Sequence, residues 1–338
     1  MTTSRSFDVT ALGNAIVDVL VHCDDALLDK LDLDKSTMSL VDATRAEEIY
    51  GALGPGIEIS GGSAANTATG IASLGGRAAF IGKVADDELG GIFGHDLRAT
   101  GVAYDVPAAP AGADTARCLV MVTPDAQRTM ATHLGVAGSV AEADIDPVVI
   151  AASEILFIEG YLVGLPGAAA AIAAAVRAAR RAGRRVALTL SDAGWVAARR
   201  DAFRTLVGDV DILVANEAEA CELTRCRRAE AALETLAGRC AAVAVTCSER
   251  GALLGAGAET VAVPVGGNVD VVDTTGAGDL FAAGFLLGLA RRRPLADCGR
   301  LGALAAAEVI SHLGARPERN LAELAAAAGL QLAPESPG

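Results

Sequence analysis

Short apolar runs and amphipathic runs alternate along most of the chain. The short runs are rich in β-branched and other aliphatic residues, a pattern typical of buried strands. The longer runs repeat apolar residues at helical spacing. The predicted strands are 7–12, 78–82, 155–158, 186–190, 211–214, 242–246 and 260–264; the predicted helices are 63–74, 88–99, 166–182, 198–207, 217–224, 229–238, 279–291, 296–312 and 321–328.

This alternation predicts an α/β fold built from strand–helix–strand units. Such units form a doubly wound, mostly parallel sheet with helices on both faces, which makes three layers. We expect one domain over residues 1–338. Residues 14–41 and 104–131 break the rhythm, because they hold strand-like pieces without long helices between them. We expect these two regions to form a small antiparallel sheet that serves as a lid over a site.

Composition and charge narrow the possible partners. The 338 residues are 52% apolar and carry a net charge of −14, without the basic stripe that nucleic-acid binding needs. No uncharged apolar run is long enough to span a membrane. Seven cysteines without a CxxC pair indicate reduced, mostly buried thiols. The chain starts with a predicted strand and not with a signal peptide, so we expect a soluble cytoplasmic protein that binds a small molecule.

The segment DTTGAGD at 273–279 separates a β-rich run from a long apolar helix. Gly276, Ala277 and Gly278 allow backbone N–H groups to converge at the helix N-terminus, which predicts an anion site. Asp279 lies beside that site, where a carboxylate is a poor phosphate ligand but a suitable general base. The alternative is an aspartate that only stabilises the helix start, by about 0.3–1 kcal/mol. For the complete heptad after a strand we favour the base.

A second glycine-containing segment is GGSAAN at 61–66. Gly61 and Gly62 allow close backbone approach, and a helix from Ser63 places Asn66 one turn in. This arrangement suits a phosphate or a pair of sugar hydroxyls, or it is only a tight strand-to-helix turn. The spacing matches neither the P-loop nor the dinucleotide-binding fingerprint.

Two further pairs of polar residues follow predicted strands. Asn216 and Glu219 suit water-mediated contacts to Mg²⁺, and they equally suit a helix capping box. Asn14 and Asp18 come after the first strand, where open α/β sheets bind ligands. Taken alone, the second pair is better explained as a turn asparagine and a surface aspartate.

Together, the order and spacing of these motifs resemble the ribokinase-like (PfkB) carbohydrate kinases, over roughly residues 7–320. Within that family the segments GNAIVDV, GGSAANT, LSDAGW, VDILVANEAEA and DTTGAGDLFAAGFL resemble the adenosine kinase subgroup. The resemblance implies the same three-layer fold with a β-sheet lid. EGYLVG at 159–164 falls where that subgroup carries an aromatic residue over the purine.

The resemblance also implies a role for individual positions. For catalysis it implies Asp279 as the base, Gly276, Ala277 and Gly278 as the anion hole, and Arg128 as the arginine that meets the transferring phosphate. For the acceptor it implies Asn14, Asp18, Gly62, Ser63 and Asn66 around a ribose, Tyr161 stacked on the base, and Met38 and Leu134 as apolar lining. For ATP it implies Asn216, Thr246, Ser248 and Gly251, with Glu219 and Asn216 near Mg²⁺ and Asp273 and Thr275 near a monovalent cation such as K⁺.

The implied activity is transfer of the γ-phosphate of ATP to the 5′-hydroxyl of a nucleoside, with adenosine as the expected acceptor and purine salvage as the expected role. A sugar kinase acting on ribose, fructose or a ketodeoxy acid is the alternative, and a nucleoside-binding protein without turnover is a third interpretation. Ser248 stands where the family usually has glycine, and Met38 stands near the position of a glutamine in animal adenosine kinases. We expect a monomer or a homodimer.

Overall fold

The computed structural model describes residues 6–110, 112–125, 127–267, 269–330 and 332. Its larger sheet has eight strands in the order β13-β12-β11-β10-β9-β8-β1-β5. These strands are β1 (Phe7–Leu12), β5 (Ala78–Ile81), β8 (Ser153–Ile158), β9 (Arg185–Thr189), β10 (Ile212–Asn216), β11 (Ala242–Thr246), β12 (Ala252–Ala256) and β13 (Glu259–Val263). The six strands from β11 to β5 pair in parallel, and β12 and β13 add an antiparallel edge.

The helices pack on both faces of this sheet or on a second, smaller sheet. They are α1 (Asp25–Lys30), α2 (Ala43–Ala52), α3 (Ser63–Ser73), α4 (Glu88–Ala99), α5 (Pro147–Ala151), α6 (Ala168–Arg181), α7 (Ala193–Ala198), α8 (Arg200–Val207), α9 (Glu217–Thr224), α10 (Ala229–Ala237), α11 (Ala277–Ala290), α12 (Leu295–Val309) and α13 (Leu321–Ala327). One buried cluster joins the sheet to α3, α4, α11, α12 and α13, and a second joins its other face to α5–α10. The predicted three-layer, mostly parallel fold is therefore confirmed.

The smaller sheet has five strands in the order β3-β7-β6-β2-β4. They are β2 (Ile16–His22), β3 (Met38–Leu40), β4 (Ile57–Gly61), β6 (Ala116–Val122) and β7 (Arg128–His133). Helices α1 and α2 bury one face of this sheet through Leu28 and Ile49. Cys118 and Val120 belong to the opposite face, which carries a separate apolar cluster.

The expectation of an antiparallel small sheet was wrong. β2 pairs with β6 in parallel and β3 pairs with β7 in parallel, whereas β2–β4 and β6–β7 are antiparallel. Only β6 and β7 are joined by a short hairpin, and long connections leave the direction of the other pairs free. The sheet also takes in β4 (Ile57–Gly61), which lies outside the two regions expected to form it.

Within the described part of the chain, no helix has the length and apolarity needed to cross a membrane. All seven cysteines are free thiols, and Cys118, Cys240, Cys247 and Cys298 are buried. The prediction of reduced, mostly buried thiols agrees with this arrangement.

Candidate active site

A cleft of about 390 Å³ lies between the carboxyl ends of the main-sheet strands and the small sheet. It brings together most of the residues that the sequence predicted: Asn14, Asp18, Met38, Gly62, Ser63, Asn66, Arg128, Leu134, Tyr161, Asn216, Glu219, Thr246, Thr275, Gly276, Ala277, Gly278 and Asp279. Ser248, Gly251 and Asp273 are not part of its lining. One continuous cleft therefore contains both the acceptor and the catalytic candidates.

Asp279 is in the first turn of α11, and two side chains from α3 hold its carboxylate. Ser63 donates its hydroxyl to Oδ1 at 2.6 Å, and Asn66 donates from Nδ2 to Oδ2 at 2.9 Å. Burial raises the pKa of Asp279, while the Ser63 and Asn66 hydrogen bonds and the charges of Arg316 and Arg128 lower it. The carboxylate is thus fixed in orientation and accepts hydrogen bonds in its ionised form.

The predicted anion loop precedes α11. Gly276 is the N-cap residue and has φ +77°, in the left-handed region that favours glycine. The N–H of Ala277 donates weakly to Thr274 O at 3.3 Å. The N–H groups of Gly278 and Asp279 belong to the first helical turn, which has no intrahelical acceptors for them. This end of a fourteen-residue helix therefore presents N–H groups and a positive dipole end to the cleft.

Arg128 reaches from β7 of the small sheet to the segment before the anion loop. It donates to Thr275 Oγ1 at 2.6 Å and to Thr274 Oγ1 at 3.0 Å, and its Nε lies 3.3 Å from Asp273 Oδ1. Asp273 is 2% exposed and also accepts hydrogen bonds from Thr275 and from Gly314 N. The guanidinium thus joins the small sheet to the DTTGAGD segment.

Asn14 and Asp18 lie on the same side of the cleft as Gly62. Burial raises the pKa of Asp18 to about 7, and the charge of Arg316 opposes this shift. Asn14 donates from Nδ2 to Glu159 at 2.7 Å, while its Oδ1 is buried without a hydrogen-bond partner among the described residues. An unpaired buried acceptor is costly, so this oxygen is suited to a ligand hydroxyl.

Aromatic and apolar side chains also line the cleft. The rings of Tyr161 and Trp195 meet edge to face, with centroids 5.9 Å apart and planes at 70°. Trp195 is fixed by a hydrogen bond from Nε1 to Val163 O at 3.0 Å. Met38 and Leu134 line the same cleft. Polar side chains and an aromatic wall of Tyr161 and Trp195 thus line one cleft.

On the remaining side, Asn216 and Glu219 form the capping box of α9. Glu219 N donates to Asn216 Oδ1 at 2.9 Å, and the Glu219 carboxylate accepts from Asn216 N at 3.0 Å and Nδ2 at 2.7 Å. Burial raises the pKa of Glu219 to about 7. Ser248 has φ +50° and Gly251 has φ +82°, both in the left-handed region that favours glycine.

Sequence reasoning missed three polar residues of this region. Glu159 is 1% exposed and accepts hydrogen bonds from Asn14 and from Ala64 N at 3.0 Å. It follows β8 directly, so the strand-end argument applied to Asn14 would have found it. Ser191 follows β9, has φ +71°, and carries a buried hydroxyl without a partner among the described residues. Arg316 lies after α12 in an irregular segment, where no local pattern indicates a role.

Residues 55–320 match the model of the pfkB family of carbohydrate kinases. The chain belongs to this family. An adenosine kinase from Sinorhizobium meliloti is 47% identical to this kinase, with a TM-score of 0.91 over 96% of this chain and 99% of that one. A probable sugar kinase from Rhizobium etli CFN 42 is 45% identical, with a TM-score of 0.92 over the same shares. A cytidine kinase from Thermococcus kodakarensis is 41% identical over 119 residues, which are 34% of this chain and 42% of that protein.

These relatives confirm the predicted family, the predicted ribokinase-like fold and the predicted enzyme class. The kinase is a phosphotransferase that acts on a hydroxyl group, and its family membership implies ATP as the donor. Among the described residues, no group of three or more His, Cys, Asp or Glu side chains is arranged to hold a metal ion directly.

Proposed function

We propose that this kinase transfers the γ-phosphate of ATP to the 5′-hydroxyl of a nucleoside, with adenosine as the acceptor and AMP as the product. The observation that carries the proposal is the two-part character of the cleft. Asn14, Asp18 and Asp279 line its polar part, and Tyr161 and Trp195 form an aromatic wall in the same space. A nucleoside has the same two parts, a ribose rich in hydroxyls and a flat base that stacks on aromatic rings.

In the proposed reaction, Asp279 takes the proton of the acceptor hydroxyl as that oxygen attacks the γ-phosphorus. The bond from the γ-phosphorus to the β–γ bridging oxygen breaks, and ADP leaves. The hydrogen bonds from Ser63 and Asn66 keep the carboxylate oriented toward the acceptor. The N–H groups of the Gly276–Gly278 loop and the Arg128 guanidinium stabilise the negative charge on the transferring group. Arg128 would give up some of its hydrogen bonds to Thr274 and Thr275 in order to contact the phosphate.

For the donor we propose Asn216, Thr246, Ser248 and Gly251. Asn216 and Thr246 line the cleft, and the turn with Ser248 and Gly251 follows β11 at the same edge of the sheet. The acid and amide oxygens of Glu219 and Asn216 fit a hydrated Mg²⁺, because Mg²⁺ keeps several waters and needs few protein oxygens. When bound, the ion would neutralise phosphate charge.

A monovalent cation beside Asp273 and Thr275 fits less well. The Asp273 carboxylate already accepts three hydrogen bonds from N–H and hydroxyl donors and is paired with Arg128. A cation such as K⁺ would have to share that carboxylate with the guanidinium. We therefore expect replacement of K⁺ by Na⁺ in the assay buffer to change turnover little.

A second candidate is phosphorylation of a free sugar, and the 45% identity to the Rhizobium etli protein favours testing it. The polar part of the cleft would suit a sugar as well as a ribosyl group. The aromatic wall would then be left without a partner, and the apolar side chains of Met38 and Leu134 would face a polar molecule. The nucleoside accounts for both the polar side chains and the aromatic and apolar side chains of the cleft.

The test is ADP release by the purified protein with ATP and Mg²⁺ and one acceptor at a time. The panel contains adenosine, inosine, guanosine, cytidine, ribose and fructose, with 5′-deoxyadenosine as the matched control that lacks the reacting hydroxyl. We expect turnover with adenosine well above the others and none with 5′-deoxyadenosine. Turnover only with a free sugar would overturn the nucleoside assignment and keep Asp279 as the base.

We place the enzyme in the cytoplasm, in purine salvage, on the basis of its use of ATP and its free thiols. The small sheet ends in two edge strands, β3 and β4, and such edges can pair between chains. A monomer and a homodimer are both compatible with this architecture, and light scattering of the purified protein distinguishes them.

A further inference from the structure

The segment from Gly314 to Arg316, which follows α12, lies behind the cleft and contributes nothing to its lining. We propose that Arg316 is a positioning residue for phosphoryl transfer. Its guanidinium holds together the chain that carries Ser63 and Asn66, and its charge balances the cleft carboxylates without contact to either substrate. This inference rests on the proposed role of Asp279 as the base.

The hydrogen bonds of Arg316 all go to the junction between β4 and α3. Nε donates to Ser60 O at 2.9 Å, Nη2 to Ser60 Oγ at 3.1 Å, and Nη1 to Ala65 O at 3.0 Å. Ser60 lies in β4, two residues before Gly62, and Ala65 lies in the sequence between Ser63 and Asn66, which hold Asp279. The guanidinium therefore holds together the residues before and after Gly61–Gly62 and fixes the position where α3 begins.

The segment that carries Arg316 is itself anchored on both sides. Gly314 donates its N–H to Asp273 Oδ2 at 2.9 Å. Ala315 packs so closely under the anion loop that a Cβ on Gly276 would lie 2.8 Å from its Cα. The N–H groups of Glu318 and Arg319 donate to Glu308 Oε1 at 3.1 and 2.8 Å. Arg316 thus connects the anion loop, through its own backbone, to the start of α3.

The charged groups around the cleft are mainly acidic. Four carboxylates line it: Asp18 from β2, Glu159 after β8, Glu219 from α9 and Asp279 from α11. Asp96 from α4 and Asp192 before α7 lie outside the lining and interact electrostatically with Arg316 and with Glu219, respectively. The cations that act on Asp279 are Arg316 and Arg128, and Arg128 is also paired with Asp273. Arg316 lowers the pKa of both Asp18 and Asp279 and so favours the ionised base.

Arg316 remains charged under working conditions. Burial lowers its pKa to about 10, and the neighbouring carboxylates Asp18 and Asp279 oppose that shift. Removal of this charge leaves the carboxylates with less compensation, so the pKa of Asp279 rises. A larger fraction of the base is then protonated at neutral pH and cannot accept the proton of the acceptor.

The experiment measures kcat for adenosine as a function of pH for the wild type, Arg316→Met, Arg316→Lys and Arg319→Met. Methionine removes the charge at similar length, lysine keeps it, and exposed Arg319 is the matched control from the same segment. All proteins are assayed with the same ATP concentration, so the titration of ATP cancels. Asp279→Asn is assayed alongside, because normal turnover in that variant would refute the proposed base itself.

We expect the acid limb of the Arg316→Met profile to move up by about one pH unit, since an opposite charge nearby typically lowers a carboxyl pKa by 1–3 units. Turnover should recover at high pH, which a purely structural defect would not allow. Arg316→Lys should keep the wild-type midpoint with a lower kcat, because lysine cannot reproduce the three hydrogen bonds. Arg319→Met should match the wild type.

Two results would overturn the inference. One is an unchanged midpoint of the acid limb of the kcat–pH profile in Arg316→Met, together with an inactive Asp279→Asn variant. The other is an equal shift in Arg316→Lys, which would show that geometry and not charge matters. If Arg316→Met does not fold, the acid-limb midpoint and the kcat of Arg316→Lys test the inference instead.

Discussion

At the scale of single residues, the environment of Asp279 balances two opposing effects. Burial favours the protonated carboxyl, whereas Ser63, Asn66 and two arginines favour the carboxylate. A general base works best when its pKa lies near the working pH, because it must be ionised and still be basic enough to take a proton. Burial therefore raises the basicity of Asp279, and its hydrogen bonds and the two arginines preserve its ionised form.

Asp18 is expected to act mainly in acceptor binding. In Asp18→Ala a ribose hydroxyl would lose its charged acceptor, and such hydrogen bonds contribute about 1.5–3 kcal/mol. We expect KM for adenosine to rise roughly ten- to a hundredfold, with a smaller effect on kcat, in steady-state assays. Asp29→Ala, an exposed aspartate on α1, is the control. An unchanged KM in Asp18→Ala would rule out Asp18 as a ribose ligand.

The sequence identifies residues of this site when their chemistry is local. Asp279 and Asn66 were found because each lies in the first turn of a helix that follows a glycine pair or loop. Arg316 was missed because its partner Ser60 is distant in the chain. Contacts of this kind depend on the packing of α3 against the sheet, which no short-range pattern encodes.

At the scale of elements, the start of α11 depends on the backbone of Gly276. A side chain there would be strained at φ +77° and would meet Ala315 at 2.8 Å. We expect Gly276→Ala to lower the free energy of unfolding by roughly 1–3 kcal/mol, the usual cost of such a backbone conformation, and to reduce kcat.

The matched control for Gly276→Ala is Gly278→Ala, two residues away. A Cβ on Gly278 would meet nothing within 4 Å, and its φ lies outside the left-handed region. Chemical denaturation should show wild-type stability for Gly278→Ala. Equal stability of the two variants would mean that the anion loop does not require a left-handed residue at position 276.

The main sheet was more predictable than the small one. Its central strands are buried on both faces and read as continuous apolar runs, so their positions and parallel direction follow from the pattern. β12 (Ala252–Ala256) was missed because ALLGA is short and weakly β-branched. β4 was missed because its residues Ile57 and Glu58 are exposed and follow a Gly-Pro-Gly stretch.

At the scale of the whole molecule, buried carboxyl groups couple stability to pH. Burial raises the pKa values of Asp18, Glu159 and Glu219 to about 7, from ordinary values of 3.8, 4.5 and 4.5. The folded protein keeps these protons up to about pH 7, whereas the unfolded chain releases them near pH 4. Unfolding therefore releases protons in this window, and the free energy of unfolding falls as the pH rises through it.

We accordingly expect Tm of the ligand-free protein to be lower at pH 8 than at pH 6, as measured by calorimetry. Glu159→Gln removes one of the three groups and should flatten the dependence. Glu323→Gln, at an exposed position on α13, should leave it unchanged. A Glu159→Gln profile parallel to that of the wild type would show that Glu159 does not titrate in this range.

The cleft lies between two sheets, and Arg128 provides a polar connection from the small sheet to the start of α11. A movement of the small sheet would therefore carry a cation toward or away from the anion loop. We therefore expect the small sheet to contribute to catalysis as well as to the exclusion of water.

The most direct test of the central claim is the turnover of Asp279→Asn with adenosine and ATP. We predict that kcat falls by about 10²–10⁴-fold, the usual contribution of a general base. The Kd for adenosine and Tm should stay close to those of the wild type, because asparagine keeps the shape of the side chain. Turnover near the wild-type rate in this variant would contradict the assignment of Asp279 as the base.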